Sequence, residues 1–182
     1  MKQTLLLSIL LSGALLANEA KAYIDMNPVL LNYSNNGTDI DFKPTGFKWT
    51  AGYLLKDFNL VSFAIEGNAI VGVNSDTKSK VKGKNGITLN QADVSLDKLY
   101  GVQLKTIIPI TNSFNGNLFV GASRAKVISV ASNSINKNDF KNSLSYGAGL
   151  EYWSSANVSL YGNYMQYFKN LSAVEFGLGF RF

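Results

Sequence analysis

The sequence predicts an all-β fold: an eight-stranded antiparallel up-and-down barrel that crosses a membrane. Apolar residues recur with a period of two in eight separate segments. One face of each segment carries large aliphatic and aromatic side chains, while the other carries Gly, Ser, Ala, Asn and isolated charges. Charged residues make up 16% of the chain, well below the roughly 25% of soluble domains, and aromatics reach 12%. Small and polar residues suit a narrow barrel interior, and Phe, Leu and Tyr suit lipid. A soluble barrel of lipocalin type, apolar face inward, is the competing assignment.

The first 22 residues read as a secretory leader and residues 23–182 as the barrel domain. Lys2 supplies the positive start, Leu5 to Ala17 form an apolar stretch of 13 residues, and Ala20-Lys21-Ala22 presents the small residues of a cleavage site. Thirteen residues rise only about 20 Å as a helix, too little for a hydrocarbon core of ~30 Å. Cleavage is therefore expected after Ala22. Loss of Lys2, Glu19 and Lys21 lowers the formal charge from +5 to +4.

Five strands alternate cleanly. Phe47, Trp49, Ala51, Tyr53 and Leu55 oppose Lys48, Thr50 and Gly52. Val61, Phe63, Ile65, Gly67, Ala69 and Val71 oppose Ser62, Ala64, Glu66 and Asn68. Tyr100, Val102, Leu104, Thr106 and Ile108 oppose Gly101, Gln103 and Lys105. Tyr146, Ala148, Leu150 and Tyr152 oppose Ser145, Gly147, Gly149 and Glu151. Val174, Phe176, Leu178, Phe180 and Phe182 oppose Glu175, Gly177, Gly179 and Arg181. Tyr23 to Leu31, Asn117 to Val127 and Val158 to Tyr167 complete the eight, with a bulge or other local irregularity expected at Pro28, which lacks an amide hydrogen.

Glu66, Lys105, Glu151, Glu175 and Arg181 fall on the small, polar faces, so they are expected as ion pairs inside the barrel. If Asn85-Gly86 forms a two-residue hairpin turn, paired residues around it sum to 171. That register, without a bulge, sets Val71 opposite Tyr100, Phe63 opposite Ile108 and Glu66 opposite Lys105. A similar argument places Glu151, Ser159 and Arg181 at one level, Tyr152 opposite Val158 and Val158 opposite Phe182, with Arg181 reaching towards Glu151.

Lys78, Lys80, Lys82 and Lys84 alternate ahead of that turn. They read either as solvated residues that discourage strand addition or as one positive face for lipopolysaccharide phosphates or another anionic partner. Short connections at 57–59, 109–116 and 153–157 alternate with longer ones around 34–45, 72–98 and 128–144; 168–172 is brief. Long loops outside and short turns inside are the arrangement of outer-membrane barrels.

The chain has no Cys and no His. A disulfide framework, a thiolate or imidazole metal site and a Ser-His-Asp triad are excluded. No metal, cofactor or nucleic acid is expected, and no enzymatic role.

The ending Val174-Glu-Phe-Gly-Leu-Gly-Phe-Arg-Phe182 resembles the carboxyl-terminal signal of bacterial outer-membrane barrels. Together with Gly147-Ala-Gly-Leu-Glu-Tyr152 and the eight strands, it makes residues 23–182 similar in architecture to the small OmpA/OmpX-like and opacity-type porin-family barrels. That resemblance implies residence in the outer membrane of a Gram-negative bacterium, with both termini periplasmic. It implies that the barrel-assembly machinery reads Phe176, Leu178, Phe180 and Phe182. The peptidoglycan-binding module of longer OmpA relatives is not expected. Relatives include adhesins, serum-resistance factors, structural proteins and two lipid A-modifying enzymes whose catalytic histidine has no counterpart here. The expected role is therefore structural or surface-binding, exercised by a monomer through loops that meet lipopolysaccharide or a host ligand. A narrow channel for small solutes is the alternative; Tyr161, Met165 and the charged pairs are expected to plug it.

Overall fold

The computed structural model describes residues 21–34, 40–58, 60–82, 88–131, 134–137 and 141–182. The expected leader, residues 1–22, is outside this range but for Lys21 and Ala22, as are Lys84 and the expected Asn85-Gly86 turn. Among the described residues eleven strands run in order: β1 (Ala22–Ser34), β2 (Asp41–Phe42), β3 (Thr45–Phe58), β4 (Val61–Asn74), β5 (Asp76–Lys82), β6 (Thr88–Pro109), β7 (Phe114–Ala131), β8 (Ser134–Lys137), β9 (Lys141–Trp153), β10 (Val158–Phe168) and β11 (Leu171–Arg181). Eight of them, β1, β3, β4, β6, β7, β9, β10 and β11, pair antiparallel in succession, and β11 returns to β1. The barrel is closed, as the alternation requires. The short β2, β5 and β8 pair with extensions of β1, β6 and β7 at one end.

Strand alternation is carried through. Trp49, Tyr53, Ile65, Tyr100, Val102, Val120, Leu150, Tyr164, Phe176 and Leu178 face outward. Glu66, Gln103, Lys105, Asn117, Ser145, Glu151, Ser159 and Glu175 are buried inside. An outward wall of aromatic and aliphatic residues is stable only against lipid.

Pro28 leaves a gap instead of a bulge. Pairing of β1 with β11 skips Asn27 and Pro28 and resumes in the same register, Met26 opposite Leu178 and Val29 opposite Glu175. The missing proline amide removes a bond without adding a residue.

The β4–β6 register differs from the sequence expectation. Glu66 lies opposite Gln103, Phe63 opposite Thr106 and Val71 opposite Lys98, so partners sum to 169. In the β5–β6 extension they sum to 170, with Lys82 opposite Thr88. The turn beyond that last pair, with Asn85-Gly86, lies outside the described residues. One extra residue on the β4–β5 side shifts the ladder between the two regions. The membrane part moved by two, so its faces survived; a shift of one would have turned them inside out.

A second irregularity has a use. Asp97 is an unpaired residue between Leu96 and Lys98 in the β6–β7 ladder. In the membrane part Leu99 and the residues two apart from it point inward; beyond Asp97, Ala92, Val94 and Leu96 do. The bulge thus inverts parity and lets the extension bury its own apolar residues. These join Val29, Leu31, Tyr33, Phe42, Ile70, Val81, Leu99, Met165, Tyr167 and Leu171 in one apolar core. The interior therefore carries polar and charged side chains along the membrane part and an apolar core towards its outer end. Small and polar residues are the expected lining of the lumen; its outer end is apolar instead.

Close packing of β6 against β7 depends on Gly121, where an added Cβ would stand 2.2 Å from the Val102 carbonyl oxygen and 2.6 Å from Gln103 Cα. Both are main-chain atoms, so the strands must part. Gly121→Ala is expected to cost about 1–3 kcal/mol, read as a lower melting midpoint of the folded gel band. An unchanged midpoint would mean the strands yield freely.

Candidate functional site

The interior is occupied by two ion-pair networks. Each uses residues whose strand parity turns them inward, and glycines on the neighbouring strand make room. In β11 an added Cβ at Gly177 would fall 2.5 Å from Asn27 Cβ and 2.6 Å from the Tyr161 hydroxyl. Tyr161 consequently lies across the lumen and donates to Asn27 Oδ1 at 2.8 Å.

The first network centres on Lys105. Its Nζ is 3.3 Å from Glu151 Oε2 and 3.7 Å from Glu66 Oε1. Glu66 also accepts from the Tyr23 hydroxyl and from Gln103 Nε2, each at 2.6 Å. Glu151 accepts from Ser159 Oγ at 2.9 Å and Asn117 Nδ2 at 3.3 Å. The ammonium lies 5.1 Å from the Tyr23 ring centroid and 5.9 Å from that of Phe119. Glu66 and Lys105 meet diagonally, since Lys105 is paired with Ala64.

The second network joins Lys48 to Glu175 at 2.8 Å. Tyr167 donates its hydroxyl to the other carboxylate oxygen at 2.5 Å. Sequence reasoning singled out Glu175 but gave it no partner. Lys48 carried the same signal as Lys105, a lone lysine between Phe47 and Trp49 on an alternating strand, facing the small side with Thr50.

Arg181 stands apart from both, which corrects its expected place. Ser159 pairs with Trp153 and Gly179 instead of Glu151 and Arg181, because the β10 ladders are each offset by two from the expectation. The Arg181 guanidinium stacks on Trp153, 4.2 Å from the ring centroid. Ser159 still reaches Glu151, but Arg181 sits at the rim.

The lysine run is split as well. Lys80 has a positive φ of 53°, which interrupts alternation. Lys78 turns in, donating to the Asp41 carbonyl at 2.7 Å with its ammonium 5.8 Å from the Phe42 ring centroid. Lys80 and Lys82 remain exposed. Of the four lysines, Lys84 lies outside the described residues, and Lys78 does not share a face with Lys80 and Lys82.

The three glutamates are each satisfied by a lysine and by hydroxyl or amide donors. Among the described residues no group of three or more acidic side chains is placed to hold a metal ion. Tyr23, Phe119, Met165, Tyr161 and Tyr167 are all buried across the lumen. The arrangement links opposite parts of the wall through the barrel interior.

The family model for the outer membrane protein beta-barrel domain matches residues 4–182. The chain belongs to that family. It is an outer-membrane β-barrel protein, and the exposed apolar wall is its lipid contact. No curated relative matches the sequence. Among solved structures, the barrel is similar to Ail, the attachment invasion locus protein of Yersinia pestis, solved with the heparin analogue sucrose octasulfate. The TM-score is 0.60 at 18% identity, over 90% of this chain and 99% of that one. Neisserial surface protein A gives 0.52 at 18% identity, over 88% and 95%. The N-terminal β-barrel domain of Pseudomonas aeruginosa OprF gives 0.51 at 15% identity, over 90% and 100%. At these identities the likeness is one of fold.

Proposed function

We propose that this outer-membrane barrel is a non-enzymatic surface-interaction protein, and that its outer extensions, not its lumen, carry the activity. The supporting observation is the length of β6 and β7, 22 and 18 residues, where about 9–11 residues suffice to cross a bilayer. The surplus rises beyond the membrane as a β5–β6–β7 sheet with its own buried side chains, Val81, Val94 and Leu96. A rigid outward sheet is a platform for contact, and a lumen filled by Tyr161 and the Lys105 network is a poor conduit. The protein acts as a monomer, delivered by the barrel-assembly machinery reading Phe176, Leu178, Phe180 and Phe182.

The ligand class is a polyanionic glycan, met by the exposed Lys80 and Lys82. Ail was solved with a sulfated sugar, and a pair of exposed lysines on a protruding sheet offers the same complement. Cells displaying the barrel are expected to retain a fluorescent heparin-type glycan, and Lys80→Ser/Lys82→Ser cells to lose most of that signal. Equal retention by both would overturn the assignment. Planar-bilayer recordings are expected to be silent; steady single-channel steps would instead support a solute channel.

A further inference from the structure

Lys48 and Lys105, the lysines buried in the lumen, are each answered by glutamate. Lys141 is not. It opens β9 and shares the inward parity of Ser145 and Glu151. Its rung partner on β7 is Ala125. Among the described residues no carboxylate or carbonyl meets its ammonium.

The ladders explain why the space beside it is open. β9 pairs with β10 only as far as Tyr146 opposite Gln166, and β10 turns back into β11 directly after Phe168. The residues from Lys141 to Ser145 therefore rise without a β10 neighbour. A cavity of about 30 Å³ lies at this notch in the outer mouth of the barrel. Ala125, Phe168 and Leu171 contribute apolar lining; Tyr33, Asn170 and Lys141 contribute the polar groups, and no lining residue is acidic.

Those polar groups are held in place. Asn170 Nδ2 donates to the Ser34 carbonyl at 3.1 Å, and the Ser34 amide donates to the Asn170 carbonyl at 2.9 Å. Tyr33 is buried beside it, paired with Leu171, and gives its hydroxyl hydrogen to no described group. A buried hydroxyl and an ammonium without an acceptor, set around one cavity, call for an anion. Size narrows the choice, since a cavity of this volume admits about two water-sized atoms. The two oxygens of a carboxylate fill it, whereas the three terminal oxygens of a sulfate ester exceed it.

We propose that Lys141, Tyr33 and Asn170 form a carboxylate-binding subsite that takes the acid group of a uronate sugar. The assignment rests on the polyanionic-glycan reading above and sharpens it. Lys80 and Lys82, exposed on the extension, attract sulfate and carboxylate alike; the cavity beside Lys141 selects the carboxylate. Partly buried Phe168 supplies apolar area against the sugar ring.

The refolded barrel in detergent micelles tests this against two immobilised glycans, heparin and carboxyl-reduced heparin with its sulfates intact. The wild type is expected to bind the reduced form about tenfold more weakly, the low end for hydrogen bonds to a charged group. Lys141→Gln is expected to bind both forms alike, at the weaker level, and Lys141→Arg to restore the difference. Lys80→Ser/Lys82→Ser is expected to weaken both and keep their ratio. Sodium glucuronate alone is expected to shift the Tyr33 and Asn170 NMR signals saturably in the wild type but not in Lys141→Gln, and sodium sulfate to shift neither. Heparin failing to bind while glucuronate still titrates would overturn the glycan reading and leave the carboxylate subsite standing. Heparin binding undiminished by carboxyl reduction, or an equal response of Lys141→Gln to glucuronate, would overturn the subsite.

Discussion

Lys105→Ala is expected to destabilise the folded barrel by about 3–5 kcal/mol, the loss typical when one partner of a buried charge cluster is removed. Lys105 serves two glutamates at 3.3 and 3.7 Å. Both carboxylates are held at 4% exposure or less, so they cannot recover solvation without opening the barrel. Lys80→Ala removes the same charge from an exposed position and is expected to stay within about 0.5 kcal/mol of wild type. Urea titration followed by the mobility difference between folded and unfolded gel bands measures both. Neutralising the whole cluster, Lys105→Met with Glu66→Gln and Glu151→Gln, should recover much of the loss, because no bare charge remains. Equal midpoints for Lys105→Ala and Lys80→Ala would remove the network as a source of stability.

The second large effect is expected at Phe42. This side chain is completely buried in the upper core, yet belongs to a strand of two residues. β2 is held by pairing with Tyr33 and Ser34 and by the Lys43 amide donating to Asp76 Oδ2 at 2.7 Å. The Lys78 ammonium also donates to the Asp41 carbonyl. Truncating a buried phenylalanine costs about 3–5 kcal/mol. A two-residue strand has few other contacts, so Phe42→Ala should open the cap locally before the membrane ladder yields. Faster proteolysis of the outer extensions is expected, with bilayer recordings still silent because Tyr161 and Lys105 lie below. Identical proteolysis of variant and wild type would show that Phe42 does not hold the cap.

The eight membrane strands and their faces were legible because period two is repeated and the two faces differ in kind. Glu66 against Ala64 and Ile65 needed no partner strand to be assigned a side. Partner choice was another matter, since it depends on register, and register turns on single residues such as Asp97 that no alternation announces. Glu66 and Lys105 meet although the expected register was wrong, because long side chains tolerate a two-residue offset. Arg181 failed for the same offset, its neighbour Trp153 offering a ring where Glu151 had been expected. Lys48 was visible as an inward lysine, but its partner Glu175 lies 127 positions away, and only barrel closure brings β3 and β11 to either side of β1. The apolar outer core escaped notice because Val94 and Leu96 acquire their direction from the bulge at Asp97.

Pro28 sits where the chain's first and last strands meet. The β1–β11 ladder lacks two consecutive rungs there, while β1 pairs with β3 without interruption from Ala22 to Leu30. Every other membrane junction joins strands adjacent in sequence, so this is the one seam that forms only when the whole wall has been laid down. Its gap makes the seam easier to unzip than its neighbours. Pulled apart by its two ends, the barrel would part between Met26 and Val29 first, as a garment opens at the stitch that was left out.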